Sequence, residues 1–314
     1  MKVSLAPSTP SRLRGVLCPV LTPFDHTLAP DVARFIAHCR WLADQQVGLA
    51  IFGTNSEAAS LSVDERLRLT DALLDAGVPA AGMMPGTGGC SVTDTVTLTR
   101  HAVENGAAGV LMLPPFYFKG VSDDGIFAYY AEVIERVGDE RLAIYLYHIP
   151  QFTQVPISLG LIERLLARYP HAVAGAKDSS GDWNNTKAML DHFASDGFDV
   201  FPASESLLSK AMPLGAAGCI SATVNVNPAA IRALYAQSLE GAAPTLQAGV
   251  DRIRQIFQSV PMIPAMKHAV SAYRGDPAWQ TVRPPLTPMA RVQADDLLRR
   301  LREADFSMPD LTPQ

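Results

Sequence analysis

The chain has no run of 18 or more apolar residues, so nothing in it reads as a membrane-spanning helix. Its first residues, MKVSLAPSTPSRLRG, lack the apolar stretch of a secretory signal, which sets the expectation of a cytoplasmic protein. Cysteine is scarce: Cys18, Cys39, Cys90 and Cys219 stand far apart with no CxxC pair, which argues against a disulfide framework or a zinc knuckle. Neither sign of charge dominates; 31 acidic residues face 26 basic ones, a formal net charge of −5, and there is no basic footprint for nucleic acid. The seven histidines show no HxH or HExxH spacing, so no metal site is read from them. What remains is a chain of 314 residues, 48% hydrophobic, long enough to bury a large core without a cross-link.

Short apolar runs recur at 16–20, 49–52, 80–84, 109–113, 143–147, 173–176, 200–202 and 219–221. Each is too short for a helix and too uniformly apolar for a sheet facing water, so each reads as a buried parallel strand. Amphipathic stretches such as 31–45, 62–76, 93–105 and 159–168 lie between them. The strand centres fall about 20–35 residues apart, the size of one βα unit. Eight such units predict an α/β fold of the TIM (β/α)8 barrel type, because closure leaves no exposed strand edge. Beyond residue 228 the strand signal stops, and 229–239, 244–259, 263–273 and 291–306 read as helices. The chain thus divides into a barrel, residues 1–228, carrying the active site, and a C-terminal helical extension, 229–314, ending in a loose tail, SMPDLTPQ.

Active sites of such barrels form at the C-terminal ends of the strands. There the sequence places Gly53-Thr54-Asn55-Ser56-Glu57, Gly86-Thr87-Gly88-Gly89, Pro114-Pro115-Phe116-Tyr117, Tyr147-His148-Ile149-Pro150, Lys177-Asp178-Ser179 and Ser204-Glu205-Ser206. Lys177 is the most informative, since only six of the basic residues are lysine and this one follows Ala172-Val173-Ala174-Gly175-Ala176. Burial would favour its neutral amine, a nucleophile for a carbonyl; the competing reading is a strand-end lysine paired with Asp178 or Asp182. Tyr147, on the neighbouring run, is either a proton shuttle for that site or an aromatic that fills the barrel. Thr54 and Asn55 suit carboxylate binding, or ordinary turn chemistry after a glycine. The Gly86–Gly89 stretch fits neither phosphate-binding fingerprint and reads as a tight turn, and Glu57 as a helix cap or a ligand contact.

Together these segments resemble the dihydrodipicolinate synthase / N-acetylneuraminate lyase family, carried by GTNSE at 53–57, PPFY at 114–117, YHIP at 147–150 and GAKDSSGD at 175–182. The resemblance implies a lyase that forms an imine with pyruvate or a related 2-oxo acid and needs no metal or organic cofactor. Lys177 matches the imine-forming lysine and Tyr147 the proton-moving tyrosine. Thr54 matches the relay threonine, and Thr54 with Asn55 the pair holding the keto acid's carboxylate, although Asn55 brings no hydroxyl. Tyr117 resembles the tyrosine that reaches into a neighbouring subunit, which implies a homotetramer built as a dimer of dimers. Ile220 matches a position whose backbone carbonyl faces substrate; Ser179 and Phe152 fall among substrate-binding positions, and Glu205 near an acidic residue that contacts sugar hydroxyls.

The departures bear on the second substrate. Dihydrodipicolinate synthases resemble one another in an arginine where this chain has Phe152, and arginine alone offers a carboxylate a bidentate pair. The segment 147–153 is closer to the sialic-acid lyase form, yet Gln154 and Ser56 replace glycines. The leading expectation is therefore a Schiff-base lyase for a 2-keto-3-deoxy sugar acid or 4-hydroxy-2-oxo acid. Its rivals are dihydrodipicolinate synthase itself, with Lys119 or a nearby arginine as substitute cation, a metal-dependent barrel with a structural Lys177, and a catalytically silent barrel that binds a 2-oxo acid.

Overall fold

The computed structural model describes residues 12–311. In chain order its principal elements are β1 (Gly15–Cys18), α1 (Val32–Asp44), β2 (Gly48–Leu49), α2 (Val63–Asp75), α3 (Val92–Glu104), β3 (Val110–Met112), α4 (Asp123–Val137) and β4 (Ile144–His148). They continue with α5 (Pro150–Thr153), α6 (Leu159–Arg168), β5 (Val173–Asp178), α7 (Trp183–Phe193), β6 (Asp199–Pro202), α8 (Leu208–Ala211) and β7 (Gly218–Ile220). Four helices close the chain: α9 (Pro228–Glu240), α10 (Pro244–Gln258), α11 (Met262–Arg274) and α12 (Arg291–Glu303).

All pairings between named strands are parallel, in the orders β2-β1-β7 and β3-β4-β5-β6. Single backbone bonds join these two sheets into a TIM barrel. The Ala217 amide donates to the Val200 carbonyl at 3.0 Å, between β6 and β7. On the other side an extended segment, 83–86, bridges β2 and β3: Met84 and Gly86 donate to Leu49 and Ile51, and Leu111 donates to Pro85. The run expected as a strand at 80–84 is thus a 3₁₀ turn at Ala80–Gly82 followed by isolated bridges. Pro85 explains the broken ladder, because it has no amide proton to donate.

Side chains alternate between the two faces of each strand. Leu17, Met84, Leu111, Tyr145, Phe201 and Ile220 fill the barrel interior. Glycine makes room for the largest of them: a Cβ on Gly175 would lie 2.8 Å from the Tyr145 ring and 2.2 Å from the Asp199 carbonyl oxygen, and one on Gly109 2.7 Å from the same ring. The helices begin on caps that the sequence spells out, as in the Ser62–Glu65 capping box of α2 and the Asp182 cap of α7.

The extension does not stand apart. α9 packs against β1, while Ile253, Phe257, Met266 and Leu297 of the later helices enter the core shared by Phe24, Phe35 and Leu42. The expected loose tail is corrected as far as residue 311: Met308 and Leu311 are buried, and Trp41 Nε1 donates to the Pro309 carbonyl at 3.1 Å. The rest of that tail, 312–314, and the leader residues 1–11 lie outside the described residues. Among the described residues no helix is long and apolar enough to cross a membrane, and all four cysteines are free thiols.

At the seam between barrel and extension His38 of α1 lies fully buried between Trp41 and Trp279, with ring centroids 5.5 and 5.0 Å away. Burial, and then the charge of Arg274, pull its pKa down to about 3. The unfolded chain titrates near 6.5 and so binds more protons than the folded one below that pH. Stability from neutral His38 is therefore complete above pH 6.5 and is lost as pH falls toward 3. Between pH 7 and pH 5 this residue should remove about 2 kcal/mol of unfolding free energy. Urea titrations at the two pH values should show the difference shrinking by that amount in His38→Gln, and an unchanged difference would refute the assignment.

Candidate active site

β4 and β5 set the centre of the site. Tyr147 is the direct register partner of Lys177, so both side chains leave the same inner face at the C-terminal mouth of the barrel. The Lys177 Nζ lies 4.2 Å from the centroid of the Tyr147 ring, and each residue is only 2% exposed. The Tyr147 phenol and the Thr54 hydroxyl are 3.0 Å apart. A buried amine, a phenol and a hydroxyl thus lie in series.

The two carboxylates that offered Lys177 a structural role are engaged elsewhere. Asp178 faces away from the barrel and accepts from the Ser180 amide at 2.9 Å and the Thr186 hydroxyl at 2.6 Å. Asp182 caps α7 through the Asn184 amide. His148, in register with Asp178, accepts from the Ile157 amide at Nδ1, and burial lowers its pKa, so its ring is neutral behind the site. Cys18 on β1 is fully buried, which pushes its thiol well above the ordinary range against the opposing charge of Lys177.

The turn that aims Thr54 is built from unusual backbone. Phe52 and Glu57 have φ of 61° and 56°, left-handed values that bracket the 3₁₀ turn Thr54–Ser56. Inside the bracket the Gly53 amide donates to the buried Ser56 hydroxyl at 3.1 Å, and Thr22 donates to the Ser56 carbonyl at 2.8 Å. The glycines of the 86–89 stretch serve close approach: a Cβ on Gly86 would meet the Phe52 carbonyl oxygen at 2.1 Å, and one on Gly88 the Leu113 amide nitrogen at 2.1 Å.

The remaining expected residues scatter around this centre. Asn55 is half-buried in the same turn, and Ile220 is fully buried at the end of β7. Ser179 is half-buried; its amide donates to the His148 carbonyl, and its own carbonyl accepts from the Gln151 side chain at 2.6 Å. Phe152 on α5 is 67% exposed at the rim. Tyr117 is 76% exposed and packs edge-on against Phe118 instead of joining Thr54 and Tyr147. Glu205 is fully enclosed, accepting from the Ser221 and Thr223 hydroxyls and pairing with Arg254 at 2.6 Å. In this structure its carboxylate is held by protein groups and is not presented to a sugar hydroxyl.

Two cations without a recognisable sequence motif support the site from the extension. Arg254 of α10 binds Glu205 and also donates to the Ser221 hydroxyl at 2.8 Å. Lys267 of α11, fully buried, pairs with Glu57 and donates to the Thr281 carbonyl at 2.8 Å. Burial lowers the Lys267 pKa to about 8 against the attraction of Glu57, so the lysine remains mostly charged at neutral pH. A cation set among apolar helix neighbours (Ile253, Ile256 and Phe257; Ala265 and Met266) was the available signal. Among the described residues no three His, Cys, Asp or Glu side chains gather as a metal site requires.

The model of the dihydrodipicolinate synthetase family matches residues 12–304. An uncharacterized DapA-like lyase of Chloroflexus aurantiacus is 34% identical over 281 residues, 88% of this chain and 92% of that relative. The crystal structure of dihydrodipicolinate synthase from Agrobacterium tumefaciens is similar with a TM-score of 0.86 at 28% identity, covering 93% of this chain and 99% of that one. YagE from E. coli K12, a prophage protein of the dihydrodipicolinic acid synthase family crystallised with pyruvate, gives a TM-score of 0.82 at 25% identity, covering 94% and 99%.

The Glu205–Arg254 pair yields a stability test. Arg254→Met leaves a buried carboxylate without its cation and should cost about 3–5 kcal/mol in urea unfolding, whereas Glu205→Gln/Arg254→Met should recover most of that loss. A double variant no more stable than Arg254→Met would show that packing, rather than charge, ties α10 to the barrel.

Proposed function

We propose, from the premise that this chain belongs to the dihydrodipicolinate synthetase family and is a lyase of the aldolase type, that it forms an imine between Lys177 and pyruvate or a related 2-oxo acid. One observation carries the assignment: a buried lysine at the barrel mouth, in register with Tyr147, whose nearest acidic neighbours in sequence are engaged elsewhere.

The neutral Lys177 amine attacks the ketone carbon of the acid, and the carbinolamine loses its oxygen as water to give a protonated imine. Tyr147 supplies a proton to that departing oxygen and recovers one through the Thr54 hydroxyl, 3.0 Å away. The iminium then accepts the electron pair of a breaking carbon–carbon bond, becoming an enamine as the aldehyde leaves, while the proton of the substrate's 4-hydroxyl passes to the Tyr147–Thr54 relay. Protonation of the enamine carbon and hydrolysis release the 2-oxo acid and restore the amine. Reversal of these steps is a condensation. The turn at Thr54 and Asn55 holds the substrate carboxylate, with the Ile220 carbonyl and Ser179 at the sides. Tyr117, exposed beside Phe118, extends the proton relay of a neighbouring subunit within a homotetramer. The pyruvate in the YagE crystal structure supports this choice of ligand.

Phe152 offers an apolar surface where a second carboxylate would need a cation, which favours a 2-keto-3-deoxy sugar acid or a 4-hydroxy-2-oxo acid as substrate. Condensation of pyruvate with aspartate semialdehyde is the second reading. It is favoured by Lys119, whose ammonium donates at 2.7 Å to the carbonyl of Thr153, the residue that follows Phe152 in the chain.

Borohydride reduction in the presence of pyruvate should leave an adduct on Lys177 in the peptide mass spectrum, and Lys177→Ala should abolish turnover without unfolding. Tyr147→Phe should lower kcat by about 10²–10⁴-fold. An unmodified Lys177 in folded protein would sink the proposal. Comparable turnover with aspartate semialdehyde, lost in Lys119→Met, would establish the second reading.

A further inference from the structure

The turn carrying Thr54 is held from a part of the chain more than 200 residues away. Glu57 closes that turn in a left-handed conformation, with φ 56° and ψ 31°, which a side chain with a Cβ adopts at a cost. Its carboxylate is buried and gripped from two sides of the extension: by the Lys267 ammonium of α11 and by the Arg283 backbone amide, which donates to Oε2 at 2.9 Å. Lys267 is in turn fixed by the Thr281 carbonyl at 2.8 Å and lies 4.4 Å from the centroid of the Phe24 ring. Arg283 covers the same ring at 4.6 Å.

This construction is more than a cap on a neighbouring helix. The cap of α2 is supplied separately by Ser62 and Glu65, so Glu57 is not needed for it. A buried ion pair is weak support for stability, because desolvation offsets most of its attraction. What it does supply is a fixed anchor for a strained residue. The Ser56 and Ala58 amides both donate to the Gly53 carbonyl, and the Glu57 amide donates to the Thr54 carbonyl. Rotation of Glu57 would therefore move the peptide units on both sides of Thr54, whose hydroxyl must stay within hydrogen-bond reach of Tyr147.

We propose that Lys267 is a positioning residue for the proton relay: through Glu57 it holds the 53–58 turn so that Thr54 stays on Tyr147. The catalytic consequence rests on the imine chemistry proposed above. Lys267 touches no substrate and acts only through the turn.

The test uses the full chain and needs no knowledge of the aldehyde substrate. In Glu57→Gln/Lys267→Met both charges disappear together, so no lone buried ion remains to unfold the protein. Two quantities are read beside the thermal unfolding curve. Hydrogen-exchange mass spectrometry follows the peptide covering 53–58, and proton NMR follows deuterium entry into the methyl group of saturating pyruvate. The turn amides should exchange at least about tenfold faster while other barrel peptides keep their protection. Methyl exchange should fall at least about tenfold, with borohydride still trapping pyruvate on Lys177, because misplacing a relay group lowers the rate more than it lowers binding. Methyl exchange within about twofold of the parent in a folded variant would overturn the proposal. If the double variant does not fold, Glu57→Gln/Lys267→Gln, which also leaves no lone charge and keeps an acceptor for the Arg283 amide and a donor for the Thr281 carbonyl, undergoes the same two measurements: slowed methyl exchange with a loosened turn supports the positioning role, and parental values overturn it. A parent protein inert toward pyruvate would refute the imine chemistry instead; turn protection then decides the positioning role alone, with unchanged protection counting against it.

Discussion

The register of β4 against β5 is the constraint on which the mouth of this barrel depends. Strand side chains alternate faces, so a slip of one residue would turn Lys177 out toward the helices and bring Asp178 inward. Tight backbone approach opposes such a slip. Gly175 leaves no room for a side chain between the Asp199 carbonyl and the Tyr145 ring, and an irregularity between Ile144 and Tyr145 sets the phase of everything beyond it. Tyr145 below and Tyr147 above then face β5 from one wall, the first filling the core and the second standing beside the amine.

Within this frame the buried charges divide by whether they are paired. Asp199 has Arg14 at 2.6 Å, Glu205 has Arg254, and Glu57 has Lys267. Each pair ties a strand end or its loop to another segment: the chain before β1, α10 and α11 respectively. Lys177 is enclosed to the same degree, yet what it meets is the face of an aromatic ring. A ring face attracts an ammonium without fixing it as a carboxylate would, so the nitrogen stays available for the proposed imine.

The fold was legible in the sequence wherever one residue type does one job. Uniformly apolar runs marked the strands, amphipathic stretches marked the helices between them, and small residues before Lys177 marked its buried setting. The run at 80–84 misled because apolar composition says nothing about amide donors, and Pro85 removes one. The end of the chain misled for a related reason: proline and polar residues in 307–311 suggest a free tail, but Met308 and Leu311 each find a core to enter. At the site, Lys177, Tyr147 and Thr54 could be placed at the barrel mouth because each lies at the end of an apolar run, while their proposed roles come from the resemblance carried by GTNSE, YHIP and GAKDSSGD. The partners of Glu57 and Glu205 could not, since each comes from a helix distant in sequence, and pairing across such a distance leaves no local pattern.

The same division separates chemistry from selectivity. Lys177, Tyr147 and Thr54 are set by strand register and by a turn anchored on both sides, so their arrangement tolerates little variation. Phe152, Lys119 and Tyr117 belong to short segments at the rim, on α5 and the stretch after β3, where the first and last are exposed. Such positions change without disturbing the core. On the proposed chemistry, a barrel built this way can keep one electron-sink reaction while the group that meets the far end of the substrate changes. In the proposed reading that group is Phe152 rather than an arginine, and its side chain provides apolar contact and no bidentate partner for a second carboxylate. The cation near that place is Lys119, a point charge whose donors already reach the Phe116 and Thr153 carbonyls. A substrate whose far end carries hydroxyl groups asks less of that rim than one carrying a second carboxylate, and this asymmetry is what turns the reading toward sugar-derived 2-oxo acids.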